Sequence, residues 1–349
     1  MRSGTLVPRR SAHRATARPA SSGGTRTRLL HTLRRPEFGA LVGVITVYAF
    51  FVVAAGGKGF LSAGGTASWL NAAAELGVLA IPVGMLMIAG EFDLSVGSMV
   101  GASSMVVAIG SGTYTTPLWL SILLAIAIGA ALGLVNGIVT IRTGLHSFIV
   151  TLASMLAVAG AALGLSRVIT GTTSVSLTPW GSAKVVFGGS WDGFSVSILW
   201  WITVTAVVAW VLVKTAFGNW VFATGGDKDS ARSAGVPTAR VKIILFVTTG
   251  AAAALVGALQ TVQFNGGDVT RGQSFVFNGI VAAVIGGVLL TGGYGSAFGV
   301  FLGAMTYGIV SLGIFYTGWS TDWVQLFLGL LLATAVLANN YFRKLALTS

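Results

Sequence analysis

The sequence predicts an all-α fold: a polytopic membrane helix bundle of about ten transmembrane helices, some discontinuous or short, with both termini in the cytoplasm. Three observations lead to this fold class. Of 349 residues, 54% are hydrophobic and only 9% are charged, whereas soluble domains carry about 25% charged residues. The apolar residues form ten separate stretches. The basic residues between these stretches are distributed unequally over the two predicted sides of the membrane.

Each apolar stretch is predicted to be a helix, because a spanning segment must satisfy its backbone hydrogen bonds within itself when no water is present. A straight span needs about 20 residues, so the shorter stretches must extend into their flanks or be interrupted. The stretches cover residues 39–55, 76–90, 94–109, 117–141, 148–165, 196–213, 243–262, 275–290, 297–316 and 323–338.

The distribution of Lys and Arg predicts the orientation of the bundle. With the N-terminus in the cytoplasm and ten spans, 17 of these residues fall inside and 4 outside, as expected from the excess of positive charge in cytoplasmic loops. Nine of them lie in the first 35 residues, where no acid precedes Glu37. We therefore expect a disordered basic cytoplasmic tail at 1–36 that contacts membrane lipid or solvent and not nucleic acid, a transmembrane domain at 37–342, and a cytoplasmic tail at 343–349.

Glycines recur at four-residue spacing in several stretches, a pattern that places small residues on one helix face and lets two backbones approach closely. The spacing occurs at Gly39 and Gly43, at Gly129, Gly133 and Gly137, and at Gly299 and Gly303. We interpret it as close helix packing.

Several chemistries are excluded or unsupported. The chain has no cysteine, which excludes disulfides, thiolate zinc sites and cysteine nucleophiles. It has no GxxxxGK[ST] phosphate-binding loop, and His146 is isolated in a predicted short loop. We therefore expect no catalytic residues, no metal site and no cofactor in this chain.

The apolar pattern breaks first at residues 90–98, where Glu91 and Asp93 stand between two short apolar runs. Pro82 and Gly84 interrupt the preceding run, and interrupted helices are typical of transport paths. Acids at this depth are costly unless they reach water or protein partners. Asp93 is predicted to cap the third helix or to line a path, and the two interpretations are compatible.

The second break is the predicted cytoplasmic loop 215–240. Asp227 is placed to cap a helix of about two turns, with Arg232 in the last turn, Gly235 at its end and Pro237 as a stop. A helix this short is unstable alone in water. It is therefore either a plain connector or a segment that docks on a partner.

Four motifs occur in order along most of the chain: GEFDLSVG at 90–97, NG at 136–137 followed by FIVTL at 148–152, the loop 218–236, and IGGVLLTGGYGS at 285–296. Together they resemble the permease subunits of bacterial ABC importers of the ribose/xylose/galactoside branch, over about residues 65–340. The sequence departs from that branch at Glu91-Phe92, which stands where Gly-Ile usually precedes the aspartate. This departure adds one acid.

The resemblance implies a permease of the bacterial inner membrane that forms the path for a monosaccharide. Its implied partners are a separate ATP-binding subunit, which uses the ATP, a sugar-binding protein and a second permease copy or paralogue. Loop 215–240 is then the coupling loop, with coupling positions Asp227, Lys228, Ser230, Ala231, Arg232 and Gly235. Candidates for the substrate path are Asp93, Ser95, Asn136, Phe148, Thr151, Gln263 and Asn265.

An ion-coupled secondary transporter of a small polar solute is the alternative. That mechanism needs ionisable groups inside the helices. The sequence offers only Glu75, Glu91 and Asp93 for this role.

Overall fold

The computed structural model describes the backbone of residues 36–348 and the side chains of residues 37–337. This part of the chain contains thirteen α-helices. Ten of them coincide with the ten predicted apolar stretches, which confirms the predicted helical bundle. These ten are α1 (Pro36–Ala55), α2 (Ala63–Ile88), α3 (Val96–Ala108), α4 (Leu118–Thr143), α5 (Ser147–Thr170), α7 (Ser197–Lys214), α10 (Thr238–Gln263), α11 (Phe275–Ile285), α12 (Ala297–Thr317) and α13 (Trp323–Thr348).

Eight of the helical segments in the described residues are long and apolar enough to cross a membrane, and α11 and the Trp323–Leu337 part of α13 are shorter apolar helices. A π-helical turn, Ile109–Thr113, lengthens α3 into an 18-residue span. The remaining elements are short: α6 (Gly181–Gly188), α8 (Ala216–Gly226), α9 (Lys228–Ser233), β1 (Ser174–Ser176), β2 (Ser190–Trp191), β3 (Phe194–Ser195) and β4 (Gly266–Asp268).

The two ends of the bundle can be defined from helix α10, which starts just after α9 and ends just before β4. We call the end that carries α9 the hook end and the end that carries the strands the strand end. At the strand end β1 pairs antiparallel with β4, with Ser174 opposite Asp268, and β2 pairs with β3. Helix α2 runs from the strand end, where Asn71 bonds to Ser195, to the hook end, where Ile88 bonds to Gly293.

Helix α2 lies at the centre of the core. In its most apolar 18-residue window, 83% of the residues are buried. It packs against α7, α10, α11 and α12. Beside α2, the ring of Trp201 in α7 stacks on that of Phe301 in α12, with ring centroids 3.9 Å apart. In contrast, only 11% of the corresponding window of α5 is buried within the chain. The outer face of α5 is therefore available to lipid or to another subunit.

Two of the three predicted glycine seams form close helix contacts. A Cβ at Gly133 of α4 would lie 2.1 Å from the carbonyl oxygen of Phe246 in α10, and a Cβ at Gly303 of α12 would lie 1.9 Å from that of Ala282 in α11. The prediction for Gly39 and Gly43 is wrong within this chain, since a Cβ at either position would meet nothing within 4 Å.

Two other local predictions are also wrong. Helix α2 is continuous over 26 residues with Pro82 inside it. It is longer than the predicted stretch because the less apolar residues 63–75 are helical too. The short helices among the ten are therefore α3 and α11. Asp93 is not the N-cap of α3. That position is taken by Ser95, and the Asp93 carboxylate binds the Ser95 N–H two residues on, before the helix begins.

The predicted tails lie almost entirely outside the described side chains. Of the predicted basic tail 1–36, the structure describes only the backbone of Pro36, which begins α1. At the other end the backbone of α13 stays helical through Thr348. Residues 343–348 of the predicted C-terminal tail therefore continue the last helix.

Candidate functional site

Asp93 is a buried carboxylate, 1% exposed, with hydrogen bonds to both of its oxygens. Oδ1 accepts from the backbone N–H of Ser95 at 3.0 Å and from the Ser95 hydroxyl, and Oδ2 accepts from Oγ1 of Thr249 at 2.7 Å. Nδ2 of Asn136 donates to the Ser95 hydroxyl at 2.9 Å. The network joins the segment 89–95 to α4 and α10. It satisfies a buried acid that would be costly alone.

The same segment is bound to the first turns of α5. The backbone N–H of Leu94 donates to Oγ1 of Thr151 at 3.1 Å, and that of Phe92 donates to Oγ of Ser147 at 3.1 Å. Without these hydroxyls two backbone donors of a non-helical segment would be left without partners inside the bundle. The predicted residues Asp93, Ser95, Asn136 and Thr151 thus lie together in one structural network, which we call the Asp93 network.

Glu91 forms an ion pair with Lys242 in the first turns of α10, and the two side chains are only 13% and 7% exposed. Thr249, which binds Asp93, lies seven residues later on the same helix. Seven residues are about two helical turns. The segment 89–95 is therefore attached to α10 at two levels.

Helix α9 projects from the hook end as an exposed helix of six residues. Asp227 caps it by accepting from the backbone N–H groups of Asp229 at 3.0 Å and Ser230 at 2.9 Å. The hydrogen bond from the Ser230 N–H lowers the pKa of Asp227. The carboxylate cap is therefore intact at neutral pH and is lost only as the pH falls through this lowered value.

The other end of α9 is closed by the predicted glycine. Gly235 has a φ of +85°, and the N–H of Val236 donates to the carbonyl of Ala231 at 3.0 Å, the bonds of a Schellman motif. Ala231 is the one buried residue of α9, at 6% exposure. The predicted short helix is confirmed as an element, with Ala231 facing the bundle and its other side chains exposed.

Helix α9 is connected to the centre of the bundle by backbone contacts. The chain enters α9 from Gly225 at the end of α8, and a Cβ at Gly225 would lie only 1.7 Å from the carbonyl oxygen of Ile88 and 2.7 Å from the N–H of Gly293. Gly293 N–H itself donates to Ile88 at 2.8 Å. We call this meeting of Ile88, Gly225 and Gly293 the glycine junction. Ile88, one of its three residues, lies five positions before Asp93 in the chain.

The remaining predicted path residues are elsewhere. Phe148 is 52% exposed and lines an open pocket of about 380 Å³ at the hook end, with Glu91 and His146 among its walls. Gln263 lies at the strand end, where its Oε1 accepts from the Ser195 hydroxyl at 3.0 Å. Asn265, also at that end, accepts from the Leu177 N–H through its backbone oxygen. The structure does not bring these three residues to the Asp93 network.

Sequence reasoning missed Ser147, Lys242 and Thr249 as partners of the 89–95 segment. Ser147 and Thr249 are hydroxyl residues in or beside apolar stretches, and such hydroxyls usually bond within their own helix, as Thr205 does to Trp201. Lys242 stands one residue before the predicted apolar stretch 243–262, and a lysine this close to a span needs a counter-charge.

Among the described side chains, no group of three or more His, Asp or Glu residues is placed to hold a metal ion.

Comparison with known proteins identifies a family. A family model described as "Branched-chain amino acid transport system / permease component" matches residues 65–336. No solved structure matches the chain.

Individual relatives match over most of their length. The chain is 31% identical over 310 residues to the fructose import permease protein of Rhizobium meliloti, covering 88% of this chain and 85% of the relative. It is 32% identical to a probable ABC transporter permease protein of Escherichia coli strain K12, covering 87% and 89%. It is 34% identical over 269 residues to the L-arabinose ABC transporter permease protein of Azospirillum brasilense, covering 77% and 78%.

Proposed function

We propose a transport function from one premise: the chain belongs to the family of branched-chain amino acid transport system permease components. It is a multi-pass protein of the bacterial inner membrane and the transmembrane permease subunit of an ABC importer. It is a transport subunit, and ATP hydrolysis resides in a partner chain. The hook end faces the cytoplasm, in agreement with the distribution of Lys and Arg.

The proposed substrate class is a monosaccharide. The family description mentions amino acids, but relatives that are at least 30% identical over more than three quarters of this chain are named for fructose and L-arabinose. More distant relatives, at 28% identity, are named for xylose and ribose. All four names refer to uncharged pentoses or hexoses, which a binding protein delivers to the strand end.

The observation that carries the coupling part of this proposal is α9 itself. It is exposed on every residue but Ala231, it is capped at both ends, and it continues through Gly225 into the glycine junction. An ATP-binding subunit that holds α9 can therefore move the ends of α2 and α8 together, since backbone contacts leave no side chains to absorb the shift.

The weakly buried face of α5 is the proposed contact for a second permease copy or a paralogue. Membrane lipid covers the rest of the outer surface. Exposed apolar side chains such as Leu156, at 65%, and Val168, at 84%, lie along α5. An apolar surface of this kind is covered by lipid or protein in a membrane.

The experiment that tests the importer is uptake by the reconstituted complex. The permease is co-purified with its ATP-binding subunit, placed in liposomes with enclosed ATP, and supplied with the binding protein and radiolabelled D-fructose, D-xylose, L-arabinose or D-ribose. Uptake of at least one sugar that requires the ATP-binding subunit is expected. Uptake that persists without that subunit and stops when ionophores dissipate the ion gradients would establish the ion-coupled alternative instead.

Reversing the charge of one exposed α9 residue should interrupt the contact with the ATP-binding subunit. Arg232→Glu is expected to reduce sugar uptake by about ten-fold or more, as losing a charged contact of about 1.4 kcal/mol would. Membrane insertion should be unchanged, because Arg232 is exposed. Uptake per inserted permease and co-purification of the ATP-binding subunit are the measurements.

The matched control is Arg240→Glu, the same change at an exposed position in the first turn of α10 and outside α9. It should retain uptake. Equal effects of the two substitutions would show that net charge at the hook end matters and α9 does not.

A further inference from the structure

A second polar cluster lies inside the bundle, away from the Asp93 network. Nε2 of Gln260 in α10 donates to Oε2 of Glu75 in α2 at 2.7 Å, and Nδ2 of Asn278 in α11 donates to the hydroxyl of Tyr307 in α12 at 3.2 Å. Helices α11 and α12 both pack against α2, which brings the second pair close enough to Glu75 for its charge to act on Tyr307. We call these four residues the Glu75 cluster: Glu75, Gln260, Asn278 and Tyr307.

A polar stripe on α2 leads from the strand end to this cluster. Ser68, Asn71, Ala72 and Glu75 are each partly exposed, at the three- and four-residue spacing that places them on one face of the helix. Every residue from Leu76 to Ala89 is buried. The exposed stripe therefore ends at Glu75, about 18 Å along the helix from Ala63 at 1.5 Å per residue.

The composition of this stripe is that of a water-facing and not of a lipid-facing surface. Three of its four residues are polar, whereas a lipid-facing stripe would be apolar. Helix α2 is also surrounded by α7, α10, α11 and α12. The partial exposure of Glu75 therefore indicates a polar cleft that enters the bundle from the strand end and stops at the Glu75 cluster.

The cluster retains hydrogen-bonding capacity beyond its own two bonds. Gln260 satisfies one carboxylate oxygen of Glu75, and no described residue donates a hydrogen bond to the other oxygen. The amides of Gln260 and Asn278 each carry two N–H donors and one carbonyl acceptor, and the bonds to Glu75 and Tyr307 use one donor of each amide. The free carboxylate oxygen and the amide groups can form hydrogen bonds with the hydroxyl groups of an uncharged sugar, and the phenol ring can pack against the sugar ring.

We propose that the Glu75 cluster is a hydroxyl-binding subsite for an uncharged sugar at the closed end of this cleft. This inference rests on the proposed transport function and names a contact point of the substrate inside the permease. Placing a carboxylate inside the membrane costs free energy, and such residues usually have a functional role. The guanidinium of Arg271 at the strand end donates to the carbonyl oxygen of Gly266 and attracts the Glu75 carboxylate from a distance.

The test uses cysteine labelling, for which the chain has no background because it contains no cysteine. Ala72→Cys places a thiol on the polar stripe one turn from Glu75. In intact cells expressing the full transporter, a membrane-impermeant maleimide is expected to label this variant. Val78→Cys, on the same helix but 0% exposed before substitution, is the matched control and should resist labelling.

D-Ribose, D-xylose, L-arabinose and D-fructose are then added in turn, with glycine betaine as the osmotic control. At least one sugar is expected to slow labelling of Ala72→Cys. Adding Glu75→Gln or Tyr307→Phe to this variant should abolish the protection, whereas Glu37→Gln, the same change in the first turn of α1, should leave it intact.

The proposal is overturned if Ala72→Cys is not labelled, if none of the four sugars protects it, or if protection survives both Glu75→Gln and Tyr307→Phe. Sugar uptake is measured on the same cells. Failed protection with continued ATP-dependent uptake overturns the subsite alone, and absence of that uptake in the unsubstituted protein overturns the proposed function and the subsite with it.

Discussion

Gly225→Ala is expected to abolish most sugar uptake, although it adds a single methyl group. Its Cβ would lie 1.7 Å from the Ile88 carbonyl oxygen and 2.7 Å from the Gly293 N–H. Both obstacles are backbone atoms, which cannot rotate away as a side chain can. Overpacking of this kind costs about 1–3 kcal/mol or more. The strain is expected to separate α8 from the end of α2 and to break the Gly293–Ile88 hydrogen bond.

The measurements are uptake and ATP hydrolysis per inserted complex, together with the thermal unfolding midpoint of the purified complex. Uptake should fall by about ten-fold or more, the effect of about 1.4 kcal/mol of lost coupling, while ATP hydrolysis by the partner continues. The unfolding midpoint should decrease. Loss of both activities together, in a complex that still assembles, would indicate a catalytic and not a coupling defect.

Gly226→Ala provides a control at the next residue. A Cβ at Gly226 would meet nothing within 4 Å, so this variant receives the same methyl group in the same helix without a clash. It should transport normally. Equal loss in both variants would mean that the flexibility of this helix end, and not the close contact at the glycine junction, is what uptake requires.

The helical bundle was predictable because its signal is local. Each apolar stretch predicts its own helix. The two ends of α9 are likewise predicted by residues close to them in the chain, namely Asp227, Arg232, Gly235 and Pro237. Where the prediction failed, a neighbouring element decided the structure. Residues 63–75 lie outside the predicted apolar stretch, yet they are helical, and within them Asn71 accepts from the Ser195 N–H and Glu75 accepts from Gln260.

The polar contacts inside the bundle were less predictable than the helices. Asp93 and Ser95 are candidates because they lie in the break at 90–98, whereas Asn136 and Thr151 are candidates as polar residues in or beside apolar stretches. The structure brings all four together. The same criterion also selected Gln263, which lies at the strand end. A polar residue in an apolar stretch shows that a partner exists, but the identity of the partner depends on helix rotation and pairing, which a single sequence does not encode locally.

Asp93→Ala is expected to have a larger effect on stability than any substitution of an exposed acid in this chain. It removes the acceptor for the Ser95 N–H and hydroxyl and for the Thr249 hydroxyl. Thr249 can turn to the carbonyl of Phe246, which lies 2.9 Å away, but the buried Ser95 N–H has no substitute. Each buried donor left without a partner costs about 1–3 kcal/mol, and the cavity adds to that loss.

The expected result is a lower unfolding midpoint and less inserted permease for Asp93→Ala, with no comparable change for Asp192→Ala in the exposed β2–β3 turn. Unfolding in detergent and quantitative membrane immunoblots are the measurements. Equal and small effects of both substitutions would contradict the structural role of Asp93.

Asp93→Asn separates the structural role from an ion-coupled one. The amide keeps the size of the carboxylate, its oxygen can accept from Ser95, and its N–H can donate to the Thr249 hydroxyl, which then donates to Phe246 instead. If the network needs hydrogen bonds and shape, Asp93→Asn retains most of the insertion and uptake that Asp93→Ala loses. If transport requires a group that binds and releases a proton, Asp93→Asn inserts normally and does not transport. An importer driven through α9 has no need of that proton, so retained uptake in Asp93→Asn is the outcome that follows from the coupling proposed here.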